Sequence, residues 1–439
     1  MHNKNNNGGG RVMSCTEGDM SWQGIKQWLL VTLLSSVTAY EAMAADPIKL
    51  GLNYPSTGRY KEQGLMQARG ALMAVDEINK DGGVLGRPLD LLLANSASKP
   101  AKAVANVNKL ADQGAAMLFG GASSAVAIAA GKEAAKRDLI YFGTLTYANG
   151  TTGVEGQKYM FRESYNAWMA SKALGQYLSD ELKDKKLFYI TADYSWGWST
   201  EESLRTFTNT TDLKQHEGVT VRFPRPRESD FTAALEAAEA SGADVLMLIQ
   251  FGDDMARALR LAHRKGLKDK MTIIVPNLTL GMAKAAGSGI MEGVIGAVPW
   301  SWQVPYKYDY AEGKKFVEAF VEKYDAYPSS AAASAYSIVY QFKDAVERTR
   351  SLNTKKLIRT LENYSYTGVK DQQTWRNFDH QNVQSVYVVR SKPRNDILKS
   401  NLHEDFFEVL MKLPADEAAR TQKEWLAVRK KAGKPLTLQ

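Results

Sequence analysis

A regular alternation of strand and helix patterns constrains the fold of this 439-residue chain more than any other feature. It begins with an apolar strand pattern at 48–54 and a helix pattern at 64–80, and it continues to about residue 275. In that helix, apolar residues recur at three-to-four spacing, and the Asp-Gly-Gly at 81–83 ends it because glycine tolerates a left-handed conformation. Strands separated by helices of this length predict parallel sheets with right-handed crossovers. Two runs of the pattern therefore predict two α/β lobes.

The loops that follow the predicted strands are the candidate binding positions, because open α/β sheets bind ligands beyond the carboxyl ends of their strands. These loops are rich in hydroxyls, amides and aromatic rings, and the candidates are Tyr60, Ser123, Ser124, Thr144, Thr146, Trp196, Phe251 and Asn277. A Gly-Gly turn before the two serines leaves backbone N–H groups and serine hydroxyls free to hold an anion. Taken singly, each serine is also an ordinary helix N-cap, and each aromatic ring also packs on its own lobe.

The residue pattern favours binding over catalysis. The five histidines share no metal-ligand spacing, and the sequence contains neither a G-x-S-x-G elbow nor a P-loop. Neither Ser123 nor Ser124 has a histidine near it in the predicted topology, as a hydrolase would require. The net charge of +8 suits anionic ligands or solubility, and no nucleic-acid motif accompanies it. We therefore expect no enzyme activity, no cofactor and no metal.

The N-terminal segment predicts export. Lys26 precedes an apolar run at 28–34, small residues follow, and Ala-Met-Ala at 42–44 forms an A-x-A site. This is the layout of a signal peptide, and the run is too short to span a bilayer stably. We expect a leader and signal peptide at 1–44, cleavage after Ala44 or Ala45, and a periplasmic protein; the alternative is an uncleaved anchor. The lone cysteine, Cys15, precedes the run, so the exported chain would contain none.

Four segments carry a family resemblance. The residues AVDEINKDGGVLGRPL at 74–89 are close to an A-x-x-x-I-N-x-x-G-G-x-x-G-x-x-[IL] signature. An opening strand with a Thr-Gly turn at 48–64, the DYSWG loop at 193–197 and the strand and helix at 243–266 accompany it. From about residue 47 to 392 the chain resembles the solute-binding proteins of ABC importers, in the branched-chain amino acid, amide and urea branch of the type I periplasmic binding proteins.

The resemblance implies an architecture and a partner. It implies two Rossmann-like lobes joined by a three-strand hinge, with the ligand in the interlobe cleft. We expect the following division: lobe 1 at 47–163 plus 301–369, lobe 2 at 164–300 plus 370–395, and a C-terminal helical extension at 396–439. The resemblance also implies a leucine-binding-protein-like monomer that binds a small molecule and docks on an inner-membrane ABC permease.

The resemblance also assigns roles within the cleft. In such proteins the first lobe holds the ligand's carboxylate, and the matching positions are Ser123, Thr144 and Thr146, with Tyr60 or Arg59 near the mouth. Hydroxyls and backbone N–H groups at a helix start can hold a carboxylate without a counter-charge. The second lobe usually adds aromatic rings, here Trp196 and Phe251.

One departure from the family pattern concerns the ligand. Amino acid binders usually have an acidic residue where this chain has Asn277, and Asn-Ser at 95–96 replaces another usual Asp. A neutral amide offers less to a desolvated ammonium group than a carboxylate does. We predict a small carboxylate-bearing solute, such as a branched-chain or aromatic amino acid, bound by cleft closure, with Asp253 or Asp254 as a replacement acid. The alternatives are a non-amino-acid ligand (an aromatic acid, an amide or urea) and a role as the ligand-sensing partner of a signalling system.

Overall fold

A five-stranded parallel sheet organises the first lobe in the computed structural model, which describes residues 46–439. Its strands are β1 (Ile48–Tyr54), β2 (Leu89–Asn95), β3 (Ala115–Gly120), β4 (Tyr141–Gly143) and β5 (Met160–Arg162). They lie in the order β2-β1-β3-β4-β5, and all their pairings are parallel. The predicted signal peptide and the lone cysteine lie outside the described residues. No helix within 46–439 has both the length and the apolar character needed to cross a membrane.

A seven-stranded sheet organises the second lobe, in the order β15-β14-β10-β9-β8-β6-β7. Its strands are β6 (Leu187–Ala192), β7 (Gly218–Val221), β8 (Val245–Ile249), β9 (Thr272–Val275), β10 (Ile295–Val298), β14 (Val386–Ser391) and β15 (Phe407–Leu413). Strands β6 to β10 pair in parallel, whereas β14 and β15 are antiparallel. Three short strands form a separate antiparallel sheet: β11 (Ser365–Tyr366), β12 (Gln373–Trp375) and β13 (Asn382–Val383).

Helices connect the strands and cover the sheets. Those that follow strands of the first sheet are Lys61–Lys80, Pro100–Asp112 and Ser124–Lys136. Those of the second lobe are Ala167–Leu178, Ser195–Phe207, Glu228–Ala240, Asp253–Arg264, Leu280–Ala286 and Ser288–Met291. Four more follow β10, at Gln303–Lys307, Ala311–Tyr324, Ser330–Thr349 and Thr354–Leu361, and short 3₁₀ turns lie at Asn149–Thr151, Leu267–Asp269 and Asn401–His403.

The helix Ser330–Thr349 returns the chain to the first lobe. It packs on the helix Lys61–Lys80, and Ile338 and Phe342 share one apolar core with strand β1. The two helices approach closely because Gly70 has no side chain: a Cβ there would lie 2.1 Å from the carbonyl oxygen of Ala332. The chain therefore crosses between the lobes after β5, after β10 and before β14, as the family resemblance implies.

Polar side chains tie these three crossings together. Lys370 is buried, and its Nζ donates to the carbonyl oxygen of Pro299 (2.8 Å) and to Oε1 of Gln384 (2.6 Å). Gln384 in turn donates from Nε2 to the carbonyl oxygen of Glu163. Burial lowers the pKa of Lys370 to about 8. The hinge is thus a buried polar core in which each crossing is bonded to another.

The C-terminal segment differs from the helical extension that the sequence predicts. It contains the helices Arg394–Lys399, Ala415–Ala418 and Gln422–Lys431, but also strand β15. Strand β15 pairs antiparallel with β14, with Val386 opposite Leu413, and extends the second sheet by one strand. Phe407 and Val409 are buried while Glu408 is exposed, which is the period-two pattern of a strand with one covered face.

Candidate ligand-binding site

The predicted anion grip of the first lobe lies at the start of the helix Ser124–Lys136. Ser123 is the N-cap residue with extended backbone, and its side chain makes no capping bond within the described residues. The turn before it needs glycine, because Gly120 has φ +126° and a Cβ there would lie 2.5 Å from the carbonyl oxygen of Asn53. The hydroxyl of Ser123 and the first N–H groups of the helix are therefore available to an anion. Ser124 differs, because its Oγ accepts from the backbone N–H of Ala148 at 3.0 Å.

The loop 144–158, which we call the ligand loop, carries the two predicted threonines, and both are buried. The hydroxyl of Thr144 donates to the carbonyl oxygen of Gly121 at 2.7 Å, so its proton is used within the protein. Oγ1 of Thr146 lies 2.9 Å from Oγ1 of Thr151, and one proton of that hydroxyl pair stays free for a ligand. The structure therefore brings Thr144 and Thr146 beside the serine turn. The hydroxyl of Thr144, however, fixes the position of that turn through its bond to Gly121.

Aromatic residues from both lobes meet around Phe251. Its ring lies 5.6 Å from that of Tyr60 and 5.8 Å from those of Tyr147 and Trp196, each in an edge-to-face arrangement. Tyr60 and Tyr147 belong to the first lobe, whereas Trp196 and Phe251 follow strands of the second. Edge-to-face aromatic pairs favour one relative orientation of the groups that carry them. We call these four residues the aromatic cluster; its contacts join the two lobes in this structure.

Tyr60 is the part of the aromatic cluster that is most tightly fitted. Its hydroxyl lies 3.4 Å from that of Tyr194, and burial raises the pKa of Tyr60 to about 12, so the phenol stays neutral. A Cβ at Gly252 would lie 3.0 Å from Cδ1 of Tyr60, and Gly252 also has φ +62°. The backbone conformation therefore favours glycine at 252, and the Tyr60 ring leaves little room for a side chain there.

Asn277 lies at the base of the aromatic cluster and is fully buried. Its Nδ2 donates to the hydroxyl of Tyr165 at 2.8 Å, and Tyr165 donates to the carbonyl oxygen of Ala297 at 3.1 Å. The ring of Tyr165 packs edge-to-face against Tyr147, with 4.9 Å between centroids. Oδ1 of Asn277 has no protein partner in the described part of the chain. Asn277 therefore presents a neutral acceptor where amino acid binders of the resembled family carry an acid.

A further buried polar atom of the site, Nε1 of Trp196, has no protein partner among residues 46–439. An unsatisfied buried polar group costs about 1–3 kcal/mol. A ligand that satisfied Nε1 of Trp196 and Oδ1 of Asn277 would gain both a donor and an acceptor from the second side of the cleft.

An ion pair across the cleft changes the role expected for Asp254. Asp254 is buried at the start of the helix Asp253–Arg264 and pairs with Arg59 of the first lobe. Arg257 lies 3.7 Å away on its other side, and Asp253 is exposed. Burial raises the pKa of Asp254, and the Arg59 guanidinium opposes that shift. Asp254 is thus engaged with two arginines, so in this structure it does not replace the acid of the amino acid binders.

Glu62 also meets the second lobe, and sequence reasoning missed it. Its carboxylate lies against Gly281, where an added Cβ would be 1.9 Å from Cδ of Glu62. Burial raises the pKa of Glu62 to about 7. An acid in the first turn of a helix is usually explained by the helix dipole, so the sequence held no signal that this one crosses the cleft.

A family model described as periplasmic binding protein matches residues 47–396. The chain belongs to that family. More closely, it is a type I periplasmic binding protein of the branched-chain amino acid ABC family, as the resemblance predicted. Proteins of this family are solute-binding proteins rather than enzymes, and they bind small molecules and work with an ABC permease.

Two curated relatives illustrate the match. A leucine-, isoleucine-, valine-, threonine- and alanine-binding protein of Pseudomonas aeruginosa is 24% identical over 350 residues, which cover 77% of this chain and 90% of the relative. Leu/Ile/Val-binding protein homolog 8 of Brucella suis is 30% identical over 312 residues, which cover 67% of this chain and 74% of the relative.

Solved structures share the fold. A periplasmic binding protein from Burkholderia mallei superposes with a TM-score of 0.77 at 23% identity, covering 87% of this chain and 98% of the other. A branched-chain amino acid binding protein from Streptococcus pneumoniae, in complex with isoleucine, has a TM-score of 0.70 at 22% identity, with coverages of 84% and 100%. A solute-binding protein from Rhodopseudomonas palustris, in complex with 3,4-dihydroxybenzoic acid, has a TM-score of 0.71 at 17% identity, with coverages of 84% and 98%. The confirmed fold class thus accommodates both kinds of carboxylate.

Proposed function

We propose that this protein is the periplasmic solute-binding component of an ABC importer and that it binds a small carboxylate-bearing solute by closing its cleft. The observation that carries the proposal is the aromatic cluster, in which Phe251 of the second lobe contacts Tyr60 and Tyr147 of the first. A ligand that binds the closed arrangement better than the open one shifts the population toward it. The closed form then docks on the permease.

The carboxylate is assigned to the first lobe. Ser123 offers a hydroxyl that does not cap its helix, and the helix start offers backbone N–H groups. Thr146 adds a hydroxyl from the ligand loop. The bond from the backbone of Ala148 to Ser124 joins this grip to Tyr147, the neighbouring member of the aromatic cluster.

The second lobe favours a ligand body without a positive charge. Asn277 presents a neutral oxygen, and Asp254 is already paired with Arg59. Desolvating an ammonium group costs several kcal/mol unless a well-placed opposite charge compensates. An aromatic acid therefore fits this site better than an α-amino acid. The amino acid stays the second candidate because Glu62, beside the cleft, has a buried Oε2 with no partner among the described residues.

The proposal extends to the rest of the protein. We propose a signal peptide at 1–44 that is cleaved on export, and a monomeric mature protein. We propose lobe boundaries at 47–163 plus 301–369 and at 164–300 plus 370–395, which leave strands β1 to β5 in the first lobe and strands β6 to β10 and β14 in the second. The DYSWG loop at 193–197 and the segment after β8 would then close over the first lobe.

One pair of ligands separates the two candidates. L-Phenylalanine and 3-phenylpropanoate have the same carboxylate and aromatic body, and only the amino acid carries an ammonium group. We expect 3-phenylpropanoate to bind the tighter of the two by calorimetry, with benzoate and L-leucine as further probes. A carboxylate at a hundred times its Kd stabilises the fold by about 2.7 kcal/mol, which a thermal-shift assay detects easily.

Variants of the first lobe test the grip itself. Ser123→Ala with Thr146→Ala should weaken carboxylate binding at least a hundredfold. The matched control, Ser179→Ala with Thr206→Ala, removes two exposed hydroxyls and should leave the affinity unchanged. Retained affinity in the first double variant, or no stabilisation by any carboxylate, contradicts the proposed function.

A further inference from the structure

The C-terminal segment contacts the ligand loop directly. Trp425 and Arg429 lie on the helix Gln422–Lys431 and are buried against the first lobe, although strand β15 just before them belongs to the second sheet. We propose that Trp425 and Arg429 are positioning residues that hold the ligand loop in its binding conformation. The role assigned to the loop rests on the proposed function, in which Thr146 and Tyr147 contact the solute.

Trp425 and Arg429 donate hydrogen bonds to backbone carbonyl oxygens of the ligand loop. Nε1 of Trp425 donates to the carbonyl oxygen of Thr152 at 2.9 Å. Nη1 of Arg429 donates to the carbonyl oxygens of Gly153 (2.6 Å) and Gly156 (3.3 Å). Hydrogen bonds from a charged group are stronger than those between neutral groups. The guanidinium can bond to these carbonyl oxygens only if the backbone of the loop keeps its present conformation. The helix therefore selects one conformation of the loop.

A second arginine holds the same loop from inside the first lobe. Arg162, at the end of β5, is fully buried and donates to the carbonyl oxygens of Thr146 (3.1 Å) and Ala148 (2.5 Å), and to Oγ1 of Thr152 (2.6 Å). Within the described residues neither arginine has a carboxylate at ion-pair distance. A buried guanidinium depends on its acceptors, so the loop carbonyls are fixed from two sides. Thr146 and Tyr147 lie in the part of the loop that Arg162 holds, and Thr152, which is bonded to both Arg162 and Trp425, joins that part to the one held by Arg429.

The path of the chain makes this contact a fourth link between the lobes. After β15 the chain passes the second-lobe helix Ala167–Leu178, where the guanidinium of Arg420 lies 4.3 Å from the ring of Trp168. It then reaches the ligand loop of the first lobe. Loop residue Asn149 donates from Nδ2 to Oγ of Ser203 at 2.9 Å, on the helix that carries Trp196. Releasing the loop would therefore loosen both the grip and a contact across the cleft.

Hydrogen–deuterium exchange of the free protein tests the proposal without a ligand. Arg429→Gln and Lys430→Gln remove the same charge from adjacent residues, but Arg429 is buried and Lys430 is exposed. We expect at least tenfold faster exchange of the ligand-loop amides in Arg429→Gln and wild-type exchange in Lys430→Gln, with strand β8 as the internal reference. Wild-type exchange of the loop, or an equal rise in β8, overturns the proposal. Should Arg429→Gln fail to fold, Trp425→Phe keeps an aromatic ring beside Phe378 and Arg429 but removes the bond to Thr152, and it is expected to give a smaller rise confined to the loop.

Binding kinetics connect the loop to the solute. With 3-phenylpropanoate as the probe, the Arg429→Gln variant should release the bound probe at least fivefold faster than the Lys430→Gln variant does. Equal dissociation rates in the two variants overturn the positioning role. The two proposals fail differently. A wild-type protein that binds no carboxylate refutes the proposed function, whereas the exchange of the free protein still decides whether the helix positions the loop.

Discussion

Removing the ion pair between Arg59 and Asp254 should weaken solute binding, although it removes no contact with the solute itself. The two side chains come from different lobes, and they are only 17% and 8% exposed. Because the ion pair joins the two lobes, it stabilises the closed form of the protein and not the open form. Arg59→Ala should therefore raise the Kd for a bound carboxylate, even though Arg59 is not assigned to the ligand.

The magnitude follows from the burial of the pair. Removing one partner of a buried pair costs about 3–5 kcal/mol. Arg59 retains some exposure, and Arg257, 3.7 Å from Asp254, remains as a second partner in Arg59→Ala. We therefore expect about 2 kcal/mol, less than the buried limit. Since about 1.4 kcal/mol is a factor of ten, the Kd should rise about thirtyfold.

The assay is calorimetry on Arg59→Ala, Asp254→Ala and the double variant. The losses of binding free energy caused by the two single substitutions should not add in the double variant, because each substitution removes the same interaction. The matched control is Arg264→Ala, which breaks an exposed pair with Glu228 inside the second lobe; such pairs contribute about 0–1 kcal/mol. A Kd within threefold of wild type for Arg59→Ala, or additive single costs, would refute the reasoning.

Three further predictions follow from contacts across the cleft. Gly281→Ala would place a Cβ 1.9 Å from Cδ of Glu62, so the end of that side chain must move away from the second lobe and the Kd measured by titration should rise severalfold. Gly289→Ala, whose Cβ would lie 3.3 Å from Cδ of Arg394, should leave the Kd unchanged. Trp196→Phe should remove more than half of the ligand-induced fluorescence change, and Trp198→Phe, whose tryptophan is 54% exposed, should keep it. Burial raises the pKa of Glu62 to about 7, above its unfolded value of about 4.3, so the native state binds the extra proton and stability falls as pH rises between these values. Glu62→Gln should flatten that fall between pH 5 and pH 8 in urea unfolding, and an unchanged pH dependence would show that Glu62 is not its source.

Local periodicity was enough to predict the two-lobed α/β fold. Each strand–helix unit of the first lobe has its own apolar pattern and end signals, as at 48–83, and topology rules leave few ways to assemble such units. The family signature at 74–89 led to the same fold. Of the strands in the two main sheets, β5, β7, β10 and β15 were not predicted. β7 is four residues long and half exposed, and it is a strand because it pairs with β6.

The candidate site could be predicted only to the level of strand ends. Ser123 at a helix start and Phe251 after a strand follow from the order of the elements. The roles of the neighbouring residues Thr144 and Asp254 depend on contacts between segments that are distant in the sequence. Thr144 donates to Gly121, and Asp254 pairs with Arg59 from 195 residues away. Neither partner is indicated by a local pattern, so the roles of Thr144 and Asp254 became visible only in the folded chain.

Small-angle X-ray scattering of the free and the solute-saturated protein tests the central claim most directly. The claim is that a carboxylate solute binds between the lobes and shifts the protein to the closed form. With occupancy verified by calorimetry, the account predicts a smaller radius of gyration for the saturated protein than for the free one. An unchanged radius of gyration in the saturated protein would contradict it.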